Sequence, residues 1–380
     1  MDAFGLRPVS ALRRRAGRGG RVQRQVHGRP ARAARLQLRD AARPCARELP
    51  QLLPSGGALA VQRAAARARP VSEFARELRA ALAARPRSIA PKWFYDAAGS
   101  RLFDRICELP EYYPTRVELA LLERHASAIA GCIGAGAEIV EFGAGSARKL
   151  RALLGALEAP LRYLPIDISG EHLLQAAAAL RADHPALEVQ PVVGDYVAGV
   201  ELPQPRGRRV GFFPGSSIGN FDPVQAQALL LRMAALTRGA GLLIGVDRVK
   251  DPALLHAAYN DAAGVTAAFN LNLWARANAE AGADFDLDAW YHSAFYNAPL
   301  RRIEMHLVSR CAQVVTVAGQ RFEFAEGESV HTENSYKYAD AAFGELARAA
   351  GFEPRASWTD ERRLFTLHWL ASPACAGSLT

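Results

Sequence analysis

The stretch AEIVEFGAG, residues 137–145, decides the fold. Its first part is apolar enough to form a buried β-strand, and it ends in glycines. Glycines at such a turn let the backbone approach a ligand at the N-terminus of the following helix. The helical pattern SARKLRALLGAL, residues 146–157, comes directly after the strand. The stretch therefore predicts the first strand, turn and helix of a ligand-binding α/β sheet.

The same strand and helix pattern then repeats along the chain. Helices are predicted at residues 170–184 and 224–236, and Asp222 with Pro223 supplies an N-cap and first-turn pair for the second one. Apolar strands separated by helices of this length are typical of βαβ units in a parallel sheet that is covered on both faces. The predicted fold class is α/β with a Rossmann-like sheet. Four further strands are predicted at residues 161–169, 187–196, 208–221 and 239–249.

A second, smaller substrate-binding unit is predicted from the segments on either side of this alternation. Ser72 suits the N-cap of a helix with one apolar face, and Asp251 with Pro252 opens another helix where the alternation breaks. Substrate sites commonly lie between two such units. The predicted division is a leader at 1–71, a helical part of the substrate domain at 72–135, the core sheet at 136–250, an insertion at 251–335, and a helix and strands that complete the sheet at 336–380.

The positive charge of the chain is concentrated in its leader. Residues 1–70 carry 16 Arg and no Lys against three carboxylates, a net charge of +13, so the remainder of this +9 chain carries −4. An acidic body disfavours nucleic-acid binding, although the leader alone resembles a basic patch. We expect a disordered extension or a wrongly assigned start; an organelle transit peptide is a further alternative, with little Ser to support it.

Cysteine usage and hydropathy indicate a cytoplasmic protein. The chain has no run of 18 apolar residues and no apolar secretory segment near its start. Its cysteines are odd in number and lack a CxxC pair, which argues against a disulfide framework and against a zinc site, and we expect no metal. They are Cys45, Cys107, Cys132, Cys311 and Cys375.

Candidate cofactor residues stand at the ends of three successive strands. Gly143 and Gly145 end the first strand, but Arg148 occupies the position of the third glycine of a dinucleotide fingerprint, which disfavours a pyrophosphate cradle. Asp167 ends the second strand and is placed to accept hydrogen bonds from ribose hydroxyls. These groups favour a nucleoside ligand without a pyrophosphate.

The third strand end supports the same interpretation. Asp195 and Tyr196 join an acid to an aromatic ring, a pair that suits the amino group and face of an adenine. Together the strand ends favour S-adenosylmethionine. Two alternatives remain open: Asp167 and Asp195 either bind the ligand or serve only as helix caps, and Lys149 is either a solvated charge or a contact to the carboxylate of the cofactor.

Six motifs, in order, resemble one family over residues 72–371. The resemblance is to the histidine-specific N-alpha-methyltransferases of ergothioneine biosynthesis, which convert histidine to its trimethylated betaine, hercynine. It implies a class I S-adenosylmethionine-dependent methyltransferase fold. The motifs are PKWFYDAAGSRLFDRICELPEYYPTR (91–116), VEFGAGSARK (140–149), PIDIS (165–169), GDY (194–196), FFPGSSIGNFDP (212–223) and HTENSYKY (331–338).

The resemblance also implies roles for individual residues. Tyr112 and Asn220 hold the reacting end of the substrate and are assigned to catalysis, with Tyr259 beside them. Glu333 and Ser335 contact the imidazole. Two more substrate residues are Met305, which shapes the side-chain pocket, and Tyr95. The implied cofactor residues are Gly143, Lys149, Asp167, Asp195 and Tyr196. The expected partner is L-histidine alone, bound by a monomer that contacts neither nucleic acid nor membrane.

Each of these residues also has a purely structural interpretation. Asn220 precedes an Asp-Pro helix start and fits ordinary turn chemistry, and Tyr259 shares a helix face with Leu255, as a core residue does. Met305 suits a core filler, and Tyr112 suits packing.

Three other functions compete with histidine methylation. One is N-methylation of another amino acid, such as tryptophan or a prenylated tryptophan, but an indole offers a single donor and would leave a buried Glu333 poorly satisfied. Another is nucleic-acid binding or RNA methylation through the leader, against which residues 214–217 read PGSS, without the Pro-Pro-aromatic element of nucleobase-amine methyltransferases. The last is a scaffold without catalysis.

The run SVHTENSYKY, residues 329–338, carries the substrate assignment. Polar runs of this kind are usually solvated turns. If the backbone is extended, Glu333 and Ser335 project to the same side, because strand side chains alternate. A carboxylate and a hydroxyl on one side suit a ring with two polar nitrogen atoms.

Overall fold

The computed structural model describes residues 72–145 and 147–374. The predicted leader, Cys45 and Cys375 lie outside these residues. Within the described part the chain forms ten α-helices: α1 Glu73–Ala83, α2 Ala97–Glu108, α3 Tyr113–Arg124, α4 Ala126–Ile133, α5 Arg148–Leu154, α6 Gly170–Asp183, α7 Pro223–Leu236, α8 Pro252–Tyr259, α9 Val265–Glu280 and α10 Asp340–Ala349.

The same residues form thirteen strands and three short 3-10 helices. The strands are β1 Ala137–Phe142, β2 Arg162–Asp167, β3 Glu188–Val189, β4 Val192–Val193, β5 Arg208–Phe213, β6 Gly241–Asp247, β7 Trp290–Asn297, β8 Arg302–Ser309, β9 Gln313–Val317, β10 Gln320–Phe324, β11 Ser329–Tyr336, β12 Glu353–Thr359 and β13 Phe365–Ala371. The 3-10 helices are Pro91–Phe94, Ser217–Asn220 and Leu287–Ala289.

The main sheet has eight strands and β1 near its centre. Its order is β12-β13-β6-β5-β1-β2-β3, with β4 also paired to β2. The pairs from β6 to β4 are parallel, whereas β13 runs antiparallel to both β6 and β12. The predicted Rossmann-like α/β class is confirmed. The carboxyl ends of β1, β2 and β4 meet at one edge, which brings the predicted cofactor residues together.

The third predicted strand differs from the structure. A single strand was expected at residues 187–196, but the structure has two pairs of residues, β3 and β4, separated by Gln190 and Pro191. Proline has no backbone N–H to donate to the ladder, so it interrupts the pairing with β2. The chain nevertheless continues to Asp195, and the Gly194 N–H donates to the Asp167 carbonyl at 2.9 Å.

Both faces of the main sheet are buried, as the apolar strands indicate. Alternate residues of β1 enter different cores: Ile139 packs beneath α3, α4 and α5, while Val140 and Phe142 pack against α7 and α10. A third core is built around α9 and the antiparallel sheet β11-β8-β7. It joins residues that precede β1, such as Phe74, with residues that follow β6, such as Trp274.

The predicted helix starts are confirmed in detail. The Ser72 hydroxyl accepts from the Ala75 N–H at 3.2 Å, and Asp251 caps α8. Asp222 accepts from the Gln225 N–H at 2.9 Å, and the Gln225 side chain accepts from the Asp222 N–H at 3.1 Å, which completes a capping box. The N-cap of this box, Asp222, lies two residues after Asn220, and α7 begins at the next residue.

We expect Asp222→Ala to lower the free energy of unfolding by about 1 kcal/mol, because the Gln225 N–H at the start of α7 loses its acceptor. Urea denaturation measures the change. Val224→Ala is the matched control, since Val224 lies in the same helical turn and is 78% exposed. Equal stability of Asp222→Ala and the wild type would contradict the role of the box.

Candidate active site

One cavity gathers all the predicted substrate residues. It encloses about 600 Å³ of space free of protein atoms, part of it open to solvent. Its walls come from α2 and the segments on either side of it, the loop after β5, the ends of β6 and α8, the helix α9, and the strands β8 and β11. Tyr95, Tyr112, Asn220, Tyr259, Met305, Glu333 and Ser335 all line it.

The segment with Glu333 and Ser335 is a strand, so its interpretation as a solvated turn is wrong. β11 pairs antiparallel with β8, and Glu333 stands opposite Met305 after a bulge that begins at His331. The alternation of strand side chains brings Glu333 and Ser335 to the cavity side. Ser335 is only 4% exposed.

Several polar side chains in this cavity have no hydrogen-bond partner for their polar end groups among the described residues, and four of them are predicted substrate residues. Buried polar groups are normally paired, so unpaired ones that converge on a cavity are available to a ligand. Burial raises the pKa of the Glu333 carboxyl to about 7, and the Lys337 ammonium limits the rise. The four groups are the hydroxyls of Tyr95 and Tyr112, the amide of Asn220 and the carboxyl of Glu333.

Aromatic rings fix the two tyrosines. Phe103 meets Tyr95 and Tyr112 edge-on, with ring centroids 5.7 and 6.4 Å apart. Burial raises the pKa of both phenols well above the ordinary value, so both stay protonated. Glu333, Tyr196 and Asp167 raise the pKa of Tyr95 further, because this phenol lies near both the cavity and the cofactor residues.

Ser335 belongs to a buried network that the sequence did not reveal. The Lys337 ammonium donates to the Ser335 hydroxyl at 2.7 Å and pairs with Asp247 at 2.7 Å. Tyr259 donates to Ser335 at 2.7 Å. Asp247 also accepts from Tyr113 at 2.8 Å and pairs with Lys250. Asp247 ends β6 as Asp167 ends β2, and this shared position was the signal in the sequence that pointed to Asp247.

The predicted cofactor residues surround the ends of β1, β2 and β4 and do not line the cavity itself. Gly143 has φ +73°, a conformation that favours glycine, and its N–H donates to the Ile166 carbonyl at 2.9 Å. A Cβ at Gly145 would meet nothing within 4 Å, so this turn has free space beside it. The Tyr196 ring packs edge-on against Phe142 and close to Gly143.

Both predicted aspartates cap a turn with one oxygen. Asp167 Oδ1 accepts from the Ser169 N–H at 2.8 Å, and Asp195 Oδ1 accepts from the Val197 N–H at 2.8 Å. Asp195 Oδ2 lies 3.5 Å from Lys92 Nζ. Neither residue is a helix cap, because the N-cap of α6 is Ser169 and a turn without a helix follows Asp195. The second oxygen of Asp167 keeps no protein donor among the described residues.

Lys149 points inward and is held by a carboxylate that the sequence reasoning missed. Its ammonium pairs with Glu118 at 2.7 Å, and the same carboxylate accepts from the Gly215 N–H at 2.9 Å. Glu118 is fully buried, on the apolar face of α3 beside Leu121 and Leu122. In the sequence, the signal for Glu118 was a single acidic residue on an otherwise apolar helix face. This pair ties the helix after β1 to the loop after β5.

A second polar cluster covers the opposite face of the β8 and β11 pair. Strand pairing brings Glu304, His306 and His331 together, with one ligand-type atom from each within 4.8 Å of the others. Arg302 already donates to Glu304 at 2.8 Å, and Asn334 and Ser88 bond the His331 ring. Neighbouring protein groups therefore already bond most of the charged and lone-pair atoms of this cluster.

We expect Gly245→Ala to destabilise the protein by roughly 1–3 kcal/mol, as overpacking commonly does. A Cβ at Gly245 would lie 2.0 Å from Glu118 Oε1, so the carboxylate would have to leave Lys149 and Gly215. Urea unfolding measures the change. Gly131→Ala is the matched control in α4, where an added Cβ meets nothing within 4 Å. Equal stability of the two variants would show that the Glu118 carboxylate moves away from the added Cβ without loss of stability.

Comparison with known proteins shows the family of this chain. Residues 74–372 match a family described as histidine-specific methyltransferase, SAM-dependent. A histidine N-alpha-methyltransferase of Mycolicibacterium smegmatis is 45% identical over 292 residues, 75% of this chain and 90% of that protein. One of Mycobacterium tuberculosis is 40% identical over 299 residues, 77% of this chain and 92% of that protein.

A more distant relative has a larger chain. The ergothioneine biosynthesis protein 1 of Neurospora crassa is 31% identical over 316 residues, which cover 77% of this chain and 34% of that protein. Among the described residues of the present chain, none of the helices combines the length and hydropathy that a membrane crossing requires. The match to the family model spans nearly all the described residues, and the chain belongs to the histidine-specific, S-adenosylmethionine-dependent methyltransferase family.

Proposed function

We propose that this protein transfers three methyl groups from S-adenosylmethionine to the α-amino nitrogen of L-histidine and so makes hercynine, the first step of ergothioneine biosynthesis. The observation that carries the proposal is the pair of Glu333 and Ser335 on one side of β11, both facing the cavity. A carboxylate and a hydroxyl at this spacing complement the two nitrogen atoms of an imidazole. The names of the relatives from both mycobacterial species support the same substrate.

The strand ends fit the cofactor. The free oxygen of Asp167 suits ribose hydroxyls, and Asp195 with the Tyr196 ring suits an adenine. The open turn at Gly143 and Gly145 accepts a ligand close to the backbone. When bound, S-adenosylmethionine supplies a methyl group already activated by its sulfonium. Lys149 contributes positive charge for the cofactor carboxylate, although it shares that charge with Glu118.

The contribution of the protein to methyl transfer is position. Nitrogen, methyl carbon and sulfur must lie in line at near-attack distance. The phenol of Tyr112 and the amide of Asn220 line the cavity without protein partners and hold the amino and carboxylate groups of the substrate. The face of an aromatic ring also favours the positive charge that develops on the nitrogen. After three transfers the nitrogen has no lone pair, so the reaction stops.

Tyr259 and Met305 complete the substrate wall, and Tyr95 lies near both ligands. Met305 stands opposite Glu333 and is 1% exposed, so it limits the size of the ring that the pocket accepts. The pKa of Tyr95 responds to Glu333 and to Asp167, as expected for a residue beside substrate and cofactor alike.

The proposal also covers the cellular compartment and the oligomeric state of the enzyme. Cys107 and Cys132 are free thiols, which suits a reducing cytoplasm. We infer a cytoplasmic monomer that needs neither nucleic acid nor membrane. Light scattering of the purified protein measures its mass, and a stable dimer would contradict this part of the proposal.

Incubation of the purified protein with S-adenosylmethionine and each amino acid in turn tests the activity. We expect mass spectrometry to detect mono-, di- and trimethylated histidine, with three equivalents of cofactor consumed per betaine. Tryptophan and RNA serve as competing substrates in parallel reactions. Turnover of either one without methylation of histidine would overturn the proposal.

We expect Glu333→Ala to raise the KM for histidine by about tenfold or more, the usual scale for a lost hydrogen bond to a charged group. Calorimetric affinity for S-adenosylmethionine is expected to stay unchanged. Asn334→Ala is the matched control, because Asn334 is the next residue of β11 and bonds His331 away from the cavity. Histidine kinetics equal to those of the wild type would refute the role of Glu333.

A further inference from the structure

Glu118 is a buried carboxylate between the part of the site proposed for the cofactor and the cavity. It lies in α3, is 0% exposed, and pairs with Lys149 Nζ at 2.7 Å. Its two oxygens lie 3.0 and 2.9 Å from the Gly215 nitrogen, whose N–H donates to them. Gly215 lines the cavity, and a Cβ there would lie 3.1 Å from Lys149 Nζ. The Lys149 ammonium therefore lies close to the cavity, although its backbone belongs to the first turn of the helix after β1.

Lys149 keeps free hydrogen-bond donors despite this pair. An ammonium has three N–H donors. Glu118 accepts one of them, and the other two have no acceptor among the described residues. The Lys149 side chain is 19% exposed, so a ligand can reach these donors. The same ammonium can therefore bond a second carboxylate, that of the cofactor, without leaving Glu118.

The positive charge of Lys149 is offset before any ligand binds. Burial opposes this charge, but Glu118 outweighs burial and raises the pKa of the ammonium. Burial raises the pKa of Glu141, a second carboxyl nearby, to about 7, and this group accepts from Tyr163 at 2.5 Å. A carboxylate that approaches Lys149 is thus attracted by the ammonium and repelled by Glu118. Because the pair is largely buried, solvent screens neither force fully.

We propose that Glu118 is a positioning residue that orients the Lys149 ammonium and also weakens its attraction for the cofactor carboxylate, so that the spent cofactor leaves after each methyl transfer. In each transfer the substrate nitrogen loses a proton to solvent and takes the methyl group, while the electrons of the carbon–sulfur bond stay on sulfur. The spent cofactor, S-adenosylhomocysteine, must leave three times for each betaine that forms. This inference rests on the proposed function.

The cofactor carboxylate is a group for which moderate binding suits this reaction. S-adenosylmethionine and S-adenosylhomocysteine carry the same carboxylate and differ only in the methyl group and the sulfonium charge. Strong binding of the carboxylate would hold both molecules alike, and uniform binding of this kind does not accelerate the chemical step. It would slow the exchange of spent for fresh cofactor. Glu118 removes part of this uniform binding and leaves the hydrogen bonds of Lys149 in place.

Glu118→Gln separates the charge of this residue from its positioning role. The glutamine oxygen still accepts from Gly215 and Lys149, but the negative charge is gone. Calorimetry compares S-adenosylhomocysteine with its decarboxylated analogue, because these two ligands differ in the carboxylate alone. We expect the preference for the carboxylate ligand, taken as the ratio of the two Kd values, to be about tenfold higher in Glu118→Gln than in the wild type. Stopped-flow measurement should also show slower release of S-adenosylhomocysteine from the variant.

Glu123→Gln is the matched control, because it removes the same charge from an exposed position of α3. It should keep the wild-type preference, since solvent screens an exposed charge. Lys149→Met removes the cation and should lower the preference by about tenfold. If an unpaired Lys149 prevents folding of Glu118→Gln, Lys149→Met is compared with the double variant Glu118→Gln, Lys149→Met. Loss of the acid should raise the preference in this background too, because Glu118 repels the ligand carboxylate in both.

A wild-type preference and release rate in folded Glu118→Gln would overturn the role of Glu118. So would equal preferences in Lys149→Met and the double variant. An unchanged preference in Lys149→Met would overturn it as well, because the ligand carboxylate would then not meet this lysine. Trimethylated histidine would still form in these cases, which leaves the proposed function intact. Failure of the wild type to methylate histidine would instead overturn the proposed function and this inference together.

Discussion

The buried carboxylate of Asp247 is the interaction on which the site depends. It ends β6, the last parallel strand before the chain leaves the sheet, and is 1% exposed. Its oxygens hold Tyr113 of α3 and the ammonium groups of Lys250 and Lys337. Its backbone N–H donates to Ser216 at 2.9 Å, and its carbonyl accepts from Tyr338 at 3.0 Å. One residue thus joins the sheet, the loop after β5 and the strand that faces the substrate.

This arrangement connects the part of the site proposed for the cofactor with the part proposed for the substrate. The proposed cofactor residues lie at the ends of strands of the parallel sheet, whereas the proposed substrate residues Glu333 and Ser335 belong to a separate antiparallel sheet. Methyl transfer tolerates little error in the distance between its reacting atoms, so the two sheets must be held together rigidly. Asp247 supplies one such link, and the pairing of Glu118 with Lys149 and Gly215 supplies another at the cofactor side. Both links are charged and largely buried.

Local patterns predict most of this fold, and long-range pairing explains what they miss. Apolar strands, the capping residues Ser72 and Asp222, and the glycine turn after β1 are each encoded within a few residues, so the sheet was predictable. Pro191 was also visible, and its effect on the third strand was overlooked. The Gly215 contact to Glu118 spans 97 positions and the Tyr259 contact to Ser335 spans 76. No periodicity encodes such contacts, so the hydrogen bonds of the substrate wall could not be derived from the sequence.

The cost of this network argues for a role in recognition more than in stability. Burying two lysines and a carboxylate carries a desolvation penalty that their attraction often fails to exceed, and apolar residues of similar volume would commonly stabilise the fold as well or better. A wall of apolar groups would still bind an aromatic ring, but it would not distinguish a nitrogen with a lone pair from one with a proton. A hydroxyl alone would bond either one, because it rotates freely and can donate to a lone pair or accept from an N–H. Lys337, kept charged by Asp247, donates to the Ser335 and Tyr259 oxygens, so this network fixes the positions of two hydroxyls that line the cavity.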